Sequence, residues 1–337
     1  MSASNTPPRS SSSRASASPM GAIFRDESSW VIPPPFDPSL LPSRFDGMSW
    51  EEEKVHRKKT CRFLEEAGRK LRLPKVAIAT SEVFFHRFFS KQSLEKHDRF
   101  EIAVACLFLA AKTEESPRKL HMVLECFHRL KNESLMARQG QRNADGSAPA
   151  PPRLDPRSSE GIRLKERILL LERLVLHTIS FDLSVEHPFR NAVDIIQKTH
   201  AHEGLEHDPA AGEVRGASAT PSNPLQELLQ GTVAFVNDSL QTCVCIQFPP
   251  AEIAAGCVFM AARVTGIRTK SRKDWAEVLP VGLEALVSIT EQMIEICTDQ
   301  RKKVFMTAFV SIKADLKALK QKGGGHRQQD PKRARLR

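Results

Sequence analysis

The segment Glu101-Ile-Ala-Val-Ala-Cys-Leu-Phe-Leu-Ala-Ala-Lys112 decides the reading of this chain, because it occurs twice. It returns as Glu252-Ile-Ala-Ala-Gly-Cys-Val-Phe-Met-Ala-Ala-Arg263, with seven of twelve positions identical and five exchanged like for like. An offset of 151 residues is too long for a solenoid unit and implies two copies of one domain. The same offset pairs Phe84 with Phe235 and Phe85 with Val236. From Ile102 to Ala111 the first copy is apolar without a break, the mark of a helix buried all round. Its alanines and cysteine let neighbouring helices approach closely, so it is read as the central helix of a bundle. Just beyond the echo the copies part: Thr113-Glu114-Glu115 follows one, Val264-Thr265-Gly266 the other. One copy therefore carries surface chemistry that its twin lacks.

Working outward, the first copy reads as helices. Ser49 precedes Glu51, Glu52 and Glu53, an N-cap with acids at the positive end of a helix expected from Trp50 to Leu71. Pro74 opens a second helix to about Phe89, and Asp98 caps the central one. A fourth is expected from Pro117 through Lys131 and a fifth from Gly161 to Thr178. The second copy is expected at Phe189–His202, Pro224–Leu240, Pro250–Val264, Lys273–Leu279 and Leu283–Thr298. Gln300 to about Lys322 is amphipathic. No run alternates with period two, so the class is all-α: two tandem repeats of about five helices each. Polar Gly/Pro/Ala stretches at about 132–159 and 203–222 read as disordered insertions. The expected organisation is a disordered leader (1–29), a first repeat (30–183), a second (184–299), and a C-terminal helix with a basic tail (300–337). Trp30-Val-Ile-Pro-Pro-Pro-Phe36 is forced into an extended path by its prolines and is expected to lie against the domain surface.

Composition bounds the function. Hydrophobic residues make up 40% and charged ones 27% of 337 residues, a globular balance. No apolar run approaches the ~20 residues that span a bilayer, which argues against a membrane protein. The first residues lack the order of a signal peptide. Seven cysteines, mostly inside apolar helical runs, read as reduced packing residues of an intracellular protein. Cys243-Val-Cys245 has no second pair to complete a zinc site. Part of the net charge of +10 lies at the end, where Pro331-Lys-Arg-Ala-Arg-Leu-Arg337 reads either as a solvated tail or as a nuclear-import signal. No aromatic platform accompanies these charges, which argues against direct nucleic-acid binding.

Catalytic signatures are missing. There is no glycine-rich phosphate loop, no G-x-S-x-G and no H-E-x-x-H. His200, His202 and His207 cluster only within what reads as a flexible insertion. No catalytic, cofactor-binding or metal-binding residue is therefore expected, and no enzymatic activity. What remains is the asymmetry behind the echo. Helix capping accounts for Lys112 and one acid, but not for the loss of both acids from the second copy. Lys112 with a glutamate at the rim of a bundle offers donors and an acceptor to a partner's exposed backbone.

These residues resemble a cyclin box, and specifically the transcriptional cyclins of the cyclin K and cyclin T group. The matching pieces are Arg57, Gly68, His86-Arg-Phe88, Leu107-Phe-Leu-Ala-Ala-Lys-Thr-Glu-Glu115, Pro117-Arg-Lys-Leu120 and Leu171-Glu-Arg-Leu-Val-Leu-His-Thr-Ile-Ser-Phe-Asp-Leu183, with Val185-Glu-His-Pro188 and Phe235-Val-Asn-Asp-Ser-Leu240. The resemblance covers about Trp30 to Thr298 and implies two five-helix repeats, the first docking on a cyclin-dependent kinase. It assigns kinase contacts to Lys112, Glu115 and Glu172, with Leu176 and Phe181 supplying apolar contact. Two alternatives stay open: Glu172 pairing with a neighbouring arginine on its own helix, and Phe181 anchoring the linker between bundles. His86 stands where mitotic cyclins have an acid, which favours the transcriptional branch. Thr113 replaces the usual apolar residue between Lys112 and Glu114. The resemblance implies a nuclear regulatory subunit whose kinase phosphorylates the repeat tail of RNA polymerase II during elongation. The rivals are a TFIIB-like cyclin-fold factor using Arg263, Arg268, Lys270, Arg272 and Lys273 on DNA, and a cyclin L-like or cyclin C/H-like subunit.

Overall fold

The structure is a computed structural model that describes residues 30–32, 36–140, 150–208 and 223–300, with isolated positions between 310 and 321. The expected leader (1–29), the basic run at 331–337 and the centres of both insertions lie outside the described residues.

The first bundle begins with the single turn α1 (Pro42–Phe45). Helix α2 (Trp50–Lys70) opens on a capping box, in which Ser49 accepts from the Glu52 amide while Glu52 accepts from the Ser49 amide. Helix α3 (Lys75–Lys91) buries every residue from Ala77 to Ser90. Helix α4 (Arg99–Thr113) is capped by Asp98 and buries Ile102 through Ala111, the apolar body of the repeated segment. Helices α5 (Leu120–Arg138) and α6 (Ser159–Thr178) close the bundle around Phe84, Phe85, Phe88, Phe89, Leu107 and Ile168.

The second bundle comprises α7 (Pro188–Glu203), α8 (Pro224–Ser239), α9 (Pro250–Thr265), the short α10 (Trp275–Val278) and α11 (Leu283–Gln300). Its core gathers Ile196, Val236, Phe259, Leu286 and Ile289. As α4 packs against α2, α3, α5 and α6, so α9 packs against α7, α8, α10 and α11. The echo thus marks the two central helices, and the all-α class is what the structure shows: among the described residues α2–α6 make five helices after the single turn α1, and α7–α11 make five more.

Several expectations are corrected. Helix α5 starts at Leu120, three residues after Pro117, because Arg118 is committed elsewhere: its guanidinium donates to the carbonyls of Leu71, Arg72 and Ser116. At its other end α5 runs to Arg138, into the expected insertion. Glu133 pairs there with Lys70 of α2 and with Arg129, and Asn132 donates to the His128 carbonyl. The helix at Lys273–Leu279 is confined to Trp275–Val278, since Asp274 takes the N-cap. The second insertion begins with structure: β1 (Leu205–His207) pairs antiparallel with β2 (Ile267–Thr269), Glu206 opposite Arg268. His200 and His202 end α7 and His207 lies in β1, so the three are not a loop cluster.

The bundles meet along a buried polar seam. Arg57, 1% exposed, donates to Glu53 Oε1 at 2.6 and 2.9 Å, to the Phe89 carbonyl and to His86 Nδ1. His86 therefore carries its proton on Nε2, which donates to the Leu240 carbonyl of the second bundle at 3.0 Å. Burial, reinforced by the adjacent guanidinium, drives the imidazole down from 6.5 to about 3, so it stays neutral at physiological pH.

The segment ahead of α1 straps this seam. Trp30 is buried, its indole N–H donates to Asp182 Oδ2 at 2.7 Å, and the cations of Arg87 and Lys91 lie 5.1 and 4.4 Å from its ring. Ile32 donates from its backbone to the Ile246 carbonyl of the second bundle.

Candidate functional site

The asymmetry behind the echo becomes geometry at the C-terminal ends of α4 and α6. These helices are tied by ion pairs at two levels, Glu101 with Arg167 and Lys112 with Glu172. Lys112 Nζ lies 2.5 Å from Glu172 Oε1 and 3.9 Å from the centroid of the Phe108 ring. Glu172 is nearly buried, its side chain 10% exposed, while that of Lys112 is 43% exposed. The partner of Glu172 is thus Lys112 rather than an arginine of its own helix. One acid held under one half-exposed ammonium fixes where that cation points and leaves its outer face for another acceptor.

The twin site shares half of this. Arg263 lies over Phe259, 5.3 Å from the ring centroid, as Lys112 lies over Phe108, and these pairs are related by the 151-residue offset. Its acids differ, however. Arg263 pairs with Asp274 of its own bundle and with Asp315 of the C-terminal segment.

The turns that follow differ more. Gly266 ends α9 in the left-handed region, φ 62°, where a glycine costs nothing. At the same offset in the first bundle stands Glu115, exposed and with φ 49°. A side chain there costs about 1 kcal/mol, and strain of this kind concentrates at binding sites. The end of α6 repeats the pattern: Ser180 and Phe181 have φ 54° and 58°, and the Phe181 amide bonds to the Leu176 carbonyl. Phe181 is 60% exposed, and the ring of His177 lies edge-on to it with centroids 5.1 Å apart. Phe181 is therefore no linker anchor. That role falls to its neighbour Asp182, gripped by Trp30 and Arg87. Leu176 packs partly into the first core.

Lys112 and Glu172 meet directly across α4 and α6, Glu115 lies in the turn that follows α4, and Leu176 and Phe181 lie in the last turn of α6 and just beyond it. Glu114 is not part of the exposed set. It accepts from the Thr80 hydroxyl at 2.7 Å, and the same oxygen lies 2.8 Å from His187 Nε2. From the sequence both acids read as surface groups, but Glu114 turns toward the buried Thr80. The only available hint was that the offset places Gly231 where Thr80 stands and Thr265 where Glu114 stands. Thr113 satisfies its hydroxyl on the Leu109 carbonyl within α4. Among the described residues no cluster of histidine, cysteine, aspartate or glutamate fit to hold a metal is present.

The profile of the cyclin N-terminal domain family matches residues 41–184, the segment that contains this site. Two relatives agree: Cyclin-T1-5 of Arabidopsis thaliana is 34% identical over 269 residues, covering 77% of this chain and 39% of that protein, and Cyclin-L2 of Mus musculus is 32% identical over 268 residues, covering 80% and 45%. The chain belongs to the cyclin family. Within it, the relatives place this cyclin in the group that holds the T, K and L types. The chain spans about two fifths to one half of the length of the curated relatives it matches. A chain of the yeast RNA Pol II CTD kinase CTDK-1 complex shares the fold, with a TM-score of 0.51 and 14% identity over 75% of this cyclin and 68% of that chain. The basic residues that a DNA-binding rival would need are largely engaged: Arg268 pairs with Glu206 and Asp208, and Lys273 with Glu203.

Proposed function

We propose that this cyclin is the regulatory subunit of a transcriptional cyclin-dependent kinase, docking through Lys112, Glu115, Glu172, Leu176 and Phe181. The observation that carries the reading is a pair of exposed side chains on left-handed backbone, Glu115 after α4 and Phe181 after α6, on the two helices joined by Lys112 and Glu172. The equivalent of Glu115 in the second bundle is Gly266. A surface kept at a cost in stability is a surface with a partner.

The mechanism requires no chemistry from this chain. A protein kinase is active when its β3 lysine pairs with the glutamate of its αC helix and its activation loop is ordered. A subunit that binds that arrangement better than the resting one shifts the population by its differential affinity. The exposed Phe181 supplies apolar area, while Lys112 and Glu115 supply a donor and an acceptor for the backbone at the end of a partner helix. The T-type and L-type relatives and the likeness to a chain of a polymerase-tail kinase complex support the finer reading. In that reading the kinase modifies the repeats of RNA polymerase II, the complex is nuclear and the outcome is transcription elongation. The division of the chain into repeats 30–183 and 184–299 belongs to the same proposal.

Tagged wild-type chain recovered from nuclear extract is expected to carry kinase activity toward a polymerase-repeat peptide. Glu115→Lys with Phe181→Ala alters only exposed side chains, so circular dichroism should stay unchanged while bound kinase activity falls at least tenfold. Equal activity on the double variant would remove this site from the interface.

A further inference from the structure

The second bundle offers no docking surface of its own in this scheme, yet it touches the site through one chain of hydrogen bonds. An ionised Glu114 is an acceptor only, so the single proton of the Thr80 hydroxyl goes to Glu114 Oε1. The Thr80 oxygen must then accept, and His187 Nε2–H is the donor. His187 caps the start of α7, the first helix of the second bundle, and follows the linker that Arg87 holds by the carbonyls of Asp182 and Ser184. Its Nδ1 is buried without a partner, so the ring serves this one bond. Thr80 is fully buried.

The twin again gives the contrast. By the 151-residue offset Gly231 replaces Thr80 and Thr265 replaces Glu114. Thr265 returns its hydroxyl to the Ala261 carbonyl, and at Gly231 there is no hydroxyl to meet it; a Cβ placed there would lie 3.4 Å from the Thr265 methyl. Both hydrogen bonds are confined to the copy that carries the exposed acid.

We infer that His187 and Thr80 are positioning residues, through which the second bundle sets the turn that presents Glu115 to the kinase. Glu114 caps α4 and is covalently next to Glu115, whose left-handed backbone needs its neighbours held. Deleting the Thr80 hydroxyl frees the Glu114 side chain outright, and deleting His187 removes the donor that fixes the direction of that hydroxyl; either change lets the turn relax, which costs affinity although neither residue touches the partner. This inference rests on the proposed kinase docking, but half of its test does not.

The variants are Thr80→Val, which keeps the volume and deletes the hydroxyl, His187→Ala, and His187→Gln, whose amide N–H reaches the same place. In the free chain, hydrogen exchange at the amides of Glu114, Glu115 and Ser116 should quicken about tenfold in the first two and return toward wild type in the third. Kinase dissociation from the recovered complex should quicken about five- to twentyfold in step, and Thr80→Val combined with His187→Ala should be no worse than either alone. Unchanged exchange at those amides overturns the inference whatever the kinase does. Quickened exchange with wild-type dissociation overturns it too, as a merely structural bond. Loss of kinase in Glu115→Lys but not in these variants would spare the docking proposal and sink this one.

Discussion

Glu115 and Phe181 hold conformations in which a glycine would be more stable, and their cost is measurable. Glu115→Gly or Phe181→Gly should raise stability by up to about 1 kcal/mol, read as a higher urea midpoint at constant m-value, while weakening kinase binding. A loss of stability would mean that the side chains are held by contacts within the chain. His86 makes the opposite kind of statement. Its imidazole is neutral when folded, with a pKa near 3 against 6.5 ordinarily. Between those values the unfolded chain binds a proton that the folded chain refuses, so stability rises with pH across this window and falls as pH drops. The contribution is up to about 1.4 kcal/mol per pH unit. His187 and His56, both pushed down by burial, act in the same direction. The part due to His86 is the difference from His86→Asn, whose stability should fall less steeply below pH 6.5.

At the scale of the element, α4 and α9 are the same helix in different company. Ala105 is fully buried with its methyl accommodated, whereas a methyl added at Gly256 would lie 2.6 Å from Ile289 Cγ2. That atom sits on a β-branched side chain with little freedom to move. Gly256→Ala should therefore cost about 1 kcal/mol or more despite the better helix propensity of alanine, and thermal unfolding would show it. Helices of this kind were legible because their signals are local: an apolar run, Ser49 and Asp98 as caps, an echo at fixed offset. The strands β1 and β2 were not, since three residues cannot display alternation and their partners are some sixty positions apart. The start of α5 was misplaced for a related reason. Pro117 is a sound helix opener, but Arg118 spends its donors on carbonyls 46 and 47 residues earlier, which no window around Pro117 contains.

Across the whole molecule, the exposed half of the site could be read from residue types and the buried half could not. Lys112 and Glu115 stood out because the second copy lacks the acid. The brace from Glu172 across 60 positions and the link from Glu114 through Thr80 to His187 depend on how α3, α4 and α6 pack. The hydrogen bond from Arg57 through His86 to the Leu240 carbonyl has a further consequence, which concerns unfolding. Separating the bundles would break the bond from His86 to the Leu240 carbonyl, which costs about 1–3 kcal/mol if either group stays buried without a partner, while Arg57 keeps Glu53 and the Phe89 carbonyl within the first bundle. Two lookalike bundles of nearly equal size would otherwise melt one after the other. Joined at this point, they should lose structure in a single cooperative transition, with one calorimetric peak whose van't Hoff and measured enthalpies agree. His86→Leu should split it in two, which would turn a duplicated fold back into a pair of independent folding units.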